Sequence, residues 1–98
     1  MTIEFTEEAD SNFNSILQYI ARDNVNAAFE LRKDILENIK LLLDNPNMGV
    51  QPKAAELVDK GYKMLVVRKY LIFYFVKNNT IEIRYIVHGS RDYGKLLS

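Results

Sequence analysis

Apolar residues recur along this chain with two different periods, and the change from one to the other divides it. Thr2-Ile3-Glu4-Phe5 alternates, which predicts a short first strand with Ile3 and Phe5 on one face. Thr6 then stands as an N-cap, and Glu7, Glu8 and Asp10 put negative charge on the first turn of a helix. Ala9, Phe13, Ile16, Leu17 and Ile20 follow at helical spacing and form one apolar stripe. Asp23 or Asn24 breaks that helix and caps the next. In the second helix, Ala27, Ala28, Leu31, Ile35, Ile39, Leu42 and Leu43 keep the same rhythm until Asn45-Pro46-Asn47-Met48-Gly49 stops it. Helices joined by so short a break are antiparallel neighbours.

Gln51-Pro52-Lys53 reads as loop, and Ala54-Ala55-Glu56-Leu57-Val58 fits either a helical turn or an irregular edge. From Tyr62 the strand signal takes over. Tyr70 to Val76 is unbroken apolar sequence, as expected of a central strand covered on both faces. Lys77-Asn78-Asn79-Thr80 suits a two-residue hairpin, because asparagine tolerates the positive φ of such turns. Beyond it, Ile81, Ile83, Tyr85 and Val87 alternate with Glu82, Arg84, Ile86 and His88. Simple alternation predicts the first set against the helices and puts Arg84 and His88 on the open face of the sheet. The fold class is therefore α+β: an N-terminal strand, an antiparallel helical hairpin and a three-stranded antiparallel meander (β-α-α-β-β-β), with a short C-terminal extension. The last three strands are joined by turns alone, so parallel crossovers are not expected. The 98 residues are expected to form one domain, with no internal repeat or linker.

Charge changes this picture in one respect. Thirteen bases balance thirteen acids, giving a formal net charge of zero, yet residues 1–48 carry nine acids and four bases while residues 49–98 carry the reverse. A net −5 half and a net +5 half allow a polyanionic or acidic partner to meet the C-terminal region despite overall neutrality. The chain has no cysteine and one histidine, which excludes a disulfide framework, a thiolate nucleophile and a zinc cluster. An acidic N-terminus without an apolar core, and no apolar run long enough to span a bilayer, lead to the expectation of a cytoplasmic protein with no membrane partner.

The order of these elements, with Asn45-Pro46 and Gly49 after the helix pair, the Tyr70-to-Val76 strand, and the tail His88-Gly89-Ser90-Arg91-Asp92-Tyr93 with Leu96-Leu97, resembles the RelE/ParE superfamily. These are toxins of type II toxin–antitoxin systems, and the tail looks most like the ParE or plasmid-stabilisation branch. The resemblance covers essentially the whole chain and implies the same β-α-α-β-β-β fold. It also implies growth inhibition relieved by a cognate antitoxin, DNA gyrase as the target, no cofactor, and no sequence-specific DNA binding by the toxin itself. On the other branch it implies a metal-independent endoribonuclease that cuts mRNA on the ribosome. A non-toxic antitoxin-binding module is the third reading.

Such a nuclease must polarise a 2′-hydroxyl, stabilise charge on the phosphate and protonate the leaving oxygen. Arg68, Arg84, His88, Arg91 and Tyr93 are the catalytic candidates. Lys63, Arg68, Arg84, His88, Arg91, Asp92, Tyr93 and Lys95 are candidates for binding the target or the antitoxin. Nuclease members resemble a Tyr-Arg-Leu-Val-Tyr pattern where this chain has Tyr70-Leu71-Ile72-Phe73-Tyr74, so Leu71 stands in the arginine's place. A leucine cannot donate to a phosphate, which favours the ParE-like branch. Each candidate also has a plainer reading. His88 can hydrogen-bond the turn at Gly89, Arg91 and Asp92 can pair locally, and Tyr93 can bury its ring against Leu96 and Leu97. Lys63, Lys69 and Lys77 can guard strand edges against unwanted pairing. An antitoxin segment should bring apolar anchors, with acidic residues for Lys63, Arg84, Arg91 and Lys95, and basic residues for the acidic hairpin of Glu30, Asp34 and Glu37.

Overall fold

The computed structural model describes residues 1–90 and Tyr93. Strand β1 (Thr2–Phe5) leads into helices α1 (Glu7–Ala21) and α2 (Val25–Leu41) and a short helix α3 (Ala55–Asp59). Strands β2 (Lys63–Val67), β3 (Tyr70–Lys77) and β4 (Thr80–His88) follow. They form one four-stranded sheet in the order β1-β4-β3-β2. The meander β2-β3-β4 is antiparallel, as expected, but β1 joins β4 in parallel, Ile3 opposite Ile81 and Phe5 opposite Ile83. The sheet is therefore mixed, a pairing that the turn lengths among the last three strands do not reveal.

Local chemistry accounts for the boundaries. The Thr6 hydroxyl accepts the Ala9 N–H at 3.1 Å and starts α1, while Asn24 Oδ1 accepts the Ala27 N–H at 3.0 Å and starts α2. Asn78 and Asn79 both adopt positive φ (49° and 62°) in the β3–β4 hairpin, as a primed two-residue turn requires. Gly49 is needed for a close approach. A Cβ there would lie 2.5 Å from the Tyr74 hydroxyl, which donates to the Pro46 carbonyl at 2.9 Å and accepts from the Gly49 N–H at 3.0 Å. Tyr74 is wholly buried and staples the loop after α2 onto the sheet.

The sheet is covered on both faces. Against the helices, Ala9, Phe13, Leu31, Ile35, Ile39 and Leu42 meet Leu65, Val67, Ile72, Tyr74, Ile81, Ile83 and Ile86. On the opposite face, Leu57 of α3 and Tyr62 close over Met64, Leu71, Phe73 and Val87, with Phe75, Tyr85 and Tyr93 at the margin. The expected double coverage of β3 is thus present, but the face expected to be open is a second, aromatic core.

A β-bulge sets which residue lies on which face. Tyr74 pairs with Ile83 and Phe73 with Tyr85, so Arg84 is an extra residue in β4. Ile81 and Ile83 face the helices as expected, but beyond the bulge Ile86 does, while Tyr85 and Val87 turn to the other face. β1 accompanies β4 only as far as Ile83, and side chains of α1 and its cap occupy the edge beyond. Thr6 Oγ1 donates to the Arg84 carbonyl at 3.2 Å, and Asn12 Oδ1 accepts the Ile86 N–H at 3.1 Å. The start of α1 thereby satisfies the backbone that the bulge exposes.

Candidate functional site

The bulge separates the residues that sequence alone would gather. Arg84 keeps the face away from the helices, as expected. His88 does not: its ring lies on the helix side, edge-on to Tyr70 with centroids 5.5 Å apart, beside Ser15, Ile16 and Tyr19 of α1. The expectation that Arg84 and His88 share an open face is corrected by the one-residue slip at Arg84. His88 Nδ1 accepts the Ser90 N–H at 3.1 Å and lies 2.7 Å from the Ser90 hydroxyl, so the neutral ring carries its proton on Nε2. Gly89 meanwhile donates its own N–H to the Lys69 carbonyl at 2.7 Å. The histidine thus bonds the terminal turn, through Ser90.

Arg68 occupies the β2–β3 turn with φ 54° and forms an ion pair with Asp34 of α2. That pair ties the turn to the helical hairpin and removes Asp34 from the free acidic surface expected there. Lys63 falls on the helix-facing register of β2, with Leu65 and Val67. Tyr93 lies on the far face, its ring 5.0 Å from Phe73 and its hydroxyl accepting the Lys53 N–H at 3.4 Å. Arg91, Asp92, Lys95, Leu96 and Leu97 lie outside the described residues. Leu71, at the position where the nuclease pattern carries arginine, is buried in the aromatic core.

Around Arg84 the far face carries a hollow lined by Lys60, Gly61, Phe75, Val76, Lys77 and Glu82. Arg84 Nη1 donates to Glu82 Oε1 at 2.6 Å, and the guanidinium lies 5.2 Å from the centre of the Phe75 ring, a cation–π contact. Tyr62 stacks on Phe75 with centroids 4.2 Å apart. The Glu82 hydrogen bond raises the Arg84 pKa above its ordinary value, and burial raises that of Tyr62 although the nearby guanidinium opposes it. Of these residues, sequence reasoning singled out Arg84 as a site and Lys77 as an edge guard, and missed Tyr62, Phe75 and Glu82. The spacing of Glu82 and Arg84 on one strand was a usable signal.

A second hollow lies on the outer side of the helical hairpin, between the end of α1 and the start of α2. Leu17, Ala21, Val25, Ala28 and Phe29 line it, with Gln18 and Arg32, and its surface is almost wholly apolar. Phe29 is 66% exposed, unusual for a phenylalanine without a partner. Among the described residues no helix is long and apolar enough to cross a membrane, and no cluster of acidic or histidine side chains could hold a metal ion.

A helical hairpin on one face of a β1-β4-β3-β2 sheet is the architecture that the RelE/ParE resemblance implies, with the parallel β1–β4 pairing added. The profile of the family described as ParE toxin of type II toxin–antitoxin system, parDE, matches residues 3–93, and the chain belongs to that family. Its fold is similar to that of a chain in the chromosomal ParDE TA system from P. aeruginosa, with a TM-score of 0.72. Identity there is 22%, over 90% of this chain and 95% of the other. No curated protein matches the sequence.

Proposed function

We propose that this ParE-family toxin inhibits DNA gyrase and is held inactive by a cognate antitoxin whose C-terminal segment folds on its surface. The observation that carries the reading is the division of the nuclease candidates by the sheet. Arg68 and His88 lie on the helix side, tied to Asp34 and Ser90, while Arg84 and Tyr93 lie on the far face at the margin of the aromatic core. With Leu71 buried where a nuclease would need a phosphate donor, a target bound through shape and charge is favoured over a cleaved RNA. The apolar hollow around Phe29 suits an amphipathic helix of the antitoxin, seated by apolar contacts with a carboxylate near Arg32.

Antitoxin-free toxin should abolish gyrase supercoiling and leave translated mRNA intact in toe-printing. New in-frame cleavage ends, lost in His88→Ala and Arg91→Ala variants, would establish the endoribonuclease instead. Normal growth on induction of soluble, folded protein would leave only an antitoxin-binding role. For the toxin–antitoxin pair, added salt should slow association far more than it speeds dissociation, because steering is screened while apolar burial is not. A dissociation rate that climbs steeply with salt while association holds steady would place the affinity in ion pairs.

A further inference from the structure

Glu82 shows what kind of group the hollow beside Arg84 accepts. It lies two residues from Arg84 on the same strand, so their 2.6 Å contact is local, while the Tyr62 hydroxyl meets the guanidinium from outside that strand. Both side chains remain about one-third exposed, 36% for Arg84 and 30% for Glu82, so water and solutes reach the pair. The guanidinium is less free than the carboxylate, because Phe75 lies beneath it and Tyr62 supports Phe75 from the second core. A guanidinium offers five donors in a planar fork that matches a carboxylate, and Glu82 accepts from Nη1. Among the described residues, Lys77 and Lys60 line the same hollow with Arg84, and Glu82 is its one carboxylate.

We propose that this hollow is a docking site for an acidic side chain of a partner polypeptide, with Glu82 holding Arg84 as an internal competitor until the partner's carboxylate displaces it. Nucleic acid fits less well. The Phe75 ring is already engaged by Tyr62 and Arg84, which works against stacking a base on it. The inference deepens the expectation that an acidic partner segment meets Arg84: it places that contact in this hollow and makes Glu82 its competitor, and it holds for a peptide carboxylate whether or not gyrase is the target.

The test is an NMR titration of the full chain with capped hexaglutamate, inorganic phosphate and a single-stranded oligothymidylate in separate arms. Hexaglutamate should shift the Arg84 Nε and Phe75 ring signals to saturation. Glu82→Gln should tighten it by about two- to fivefold, the scale of an exposed ion pair. Lys77→Gln should weaken it, and Arg84→Gln should abolish the Phe75 shifts. Arg84→Lys, which keeps the charge but not the fork, should bind more weakly than wild type and provides the comparison if Arg84→Gln does not fold. Equal affinity in wild type and Glu82→Gln overturns the proposal, as does affinity unchanged by Arg84→Lys. Tighter binding of oligothymidylate at the same signals overturns it in favour of a nucleic-acid site, and phosphate saturating them as readily as hexaglutamate reduces it to a simple anion site.

Discussion

Replacing Tyr74 by phenylalanine removes one oxygen and two hydrogen bonds from a ring that is otherwise wholly buried. The lost bonds are the donation to Pro46 and the acceptance from Gly49, at 2.9 and 3.0 Å. Each is worth about 1 kcal/mol net. Pro46 and Gly49 are only half-buried, so water can partly replace the hydroxyl, and the expected loss is about 1–2 kcal/mol. For a domain of this size that corresponds to roughly 4–8 °C in Tm per kcal/mol. Gly49→Ala attacks the same contact from the other side, because the new Cβ would meet the Tyr74 hydroxyl at 2.5 Å, the Tyr74 Cε1 at 2.8 Å and the Met64 carbonyl at 3.0 Å, of which only the first is removed with the oxygen. Overpacking of this kind costs about 1–3 kcal/mol. With the hydroxyl gone the tightest clash is relieved, so the double variant should be more stable than the summed single losses predict, by about 1 kcal/mol. Urea unfolding of the four proteins measures this coupling, and strict additivity would refute the idea that the loop is held by this oxygen.

The same residue gives the pH test. Burial raises the Tyr74 pKa above its ordinary 10.0, and the Gly49 N–H opposes that only in part. The folded state therefore favours the neutral phenol. Its contribution is intact below pH 10 and declines as pH rises through the interval between the unfolded and folded values. The stability gap between wild type and Tyr74→Phe should accordingly narrow above pH 10. A gap that widens there would mean that the phenolate is the better-held form.

Thr6→Ala removes both the α1 cap and the bond to the Arg84 carbonyl, and should cost about 1–2 kcal/mol by thermal or urea unfolding, with Thr6→Ser retaining most of the stability. Asn79→Gly should stabilise the β3–β4 hairpin by up to about 1 kcal/mol, since glycine adopts φ 62° still more readily than the asparagine that tolerates it. Restoring the nuclease-type arginine, Leu71→Arg, buries a charge in the aromatic core and should cost more than about 3 kcal/mol, giving loss of cooperative unfolding and no gain of mRNA cleavage.

Most of the architecture was legible because local rules and burial agreed. Thr6 caps where capping chemistry put it, and Asn24 is the one of Asp23 and Asn24 that caps α2. The apolar stripes of α1 and α2 face the sheet save for Leu43 beyond the helix end, and the Asn78-Asn79 turn sets the β3–β4 register from its closed end. Counting outward from that turn puts Phe75 opposite Glu82, so half of the Arg84 hollow follows from the hairpin residues alone. The parallel pairing of β1 was not legible. Its partner is almost eighty residues away, and a four-residue strand carries no mark of direction. Nor did the apolar run in β3 reveal that its second cover would come from Leu57, Tyr62 and Tyr93, because a buried strand reads the same whatever buries it.

The candidate site failed at one residue. Period-two alternation through β4 is self-consistent in sequence, since both Ile81-Ile83-Tyr85-Val87 and its complement contain apolar side chains, and nothing local penalises either continuation. The bulge at Arg84 is favoured by groups distant in sequence: Thr6 takes the Arg84 carbonyl and Asn12 the Ile86 N–H, while Tyr85 and Val87 gain an aromatic neighbourhood and Ile86 joins the helical core. Once the slip is made, Arg84 and His88 belong to opposite faces, and a constellation that alternation assembles is divided by the sheet. Arg84 itself keeps the face that alternation gives it, beside Glu82 and over Phe75. The bulge therefore acts on His88 and not on the Arg84 hollow, so a change that straightens β4 should return His88 to the face of Arg84 while leaving the Glu82–Arg84–Phe75 arrangement in place.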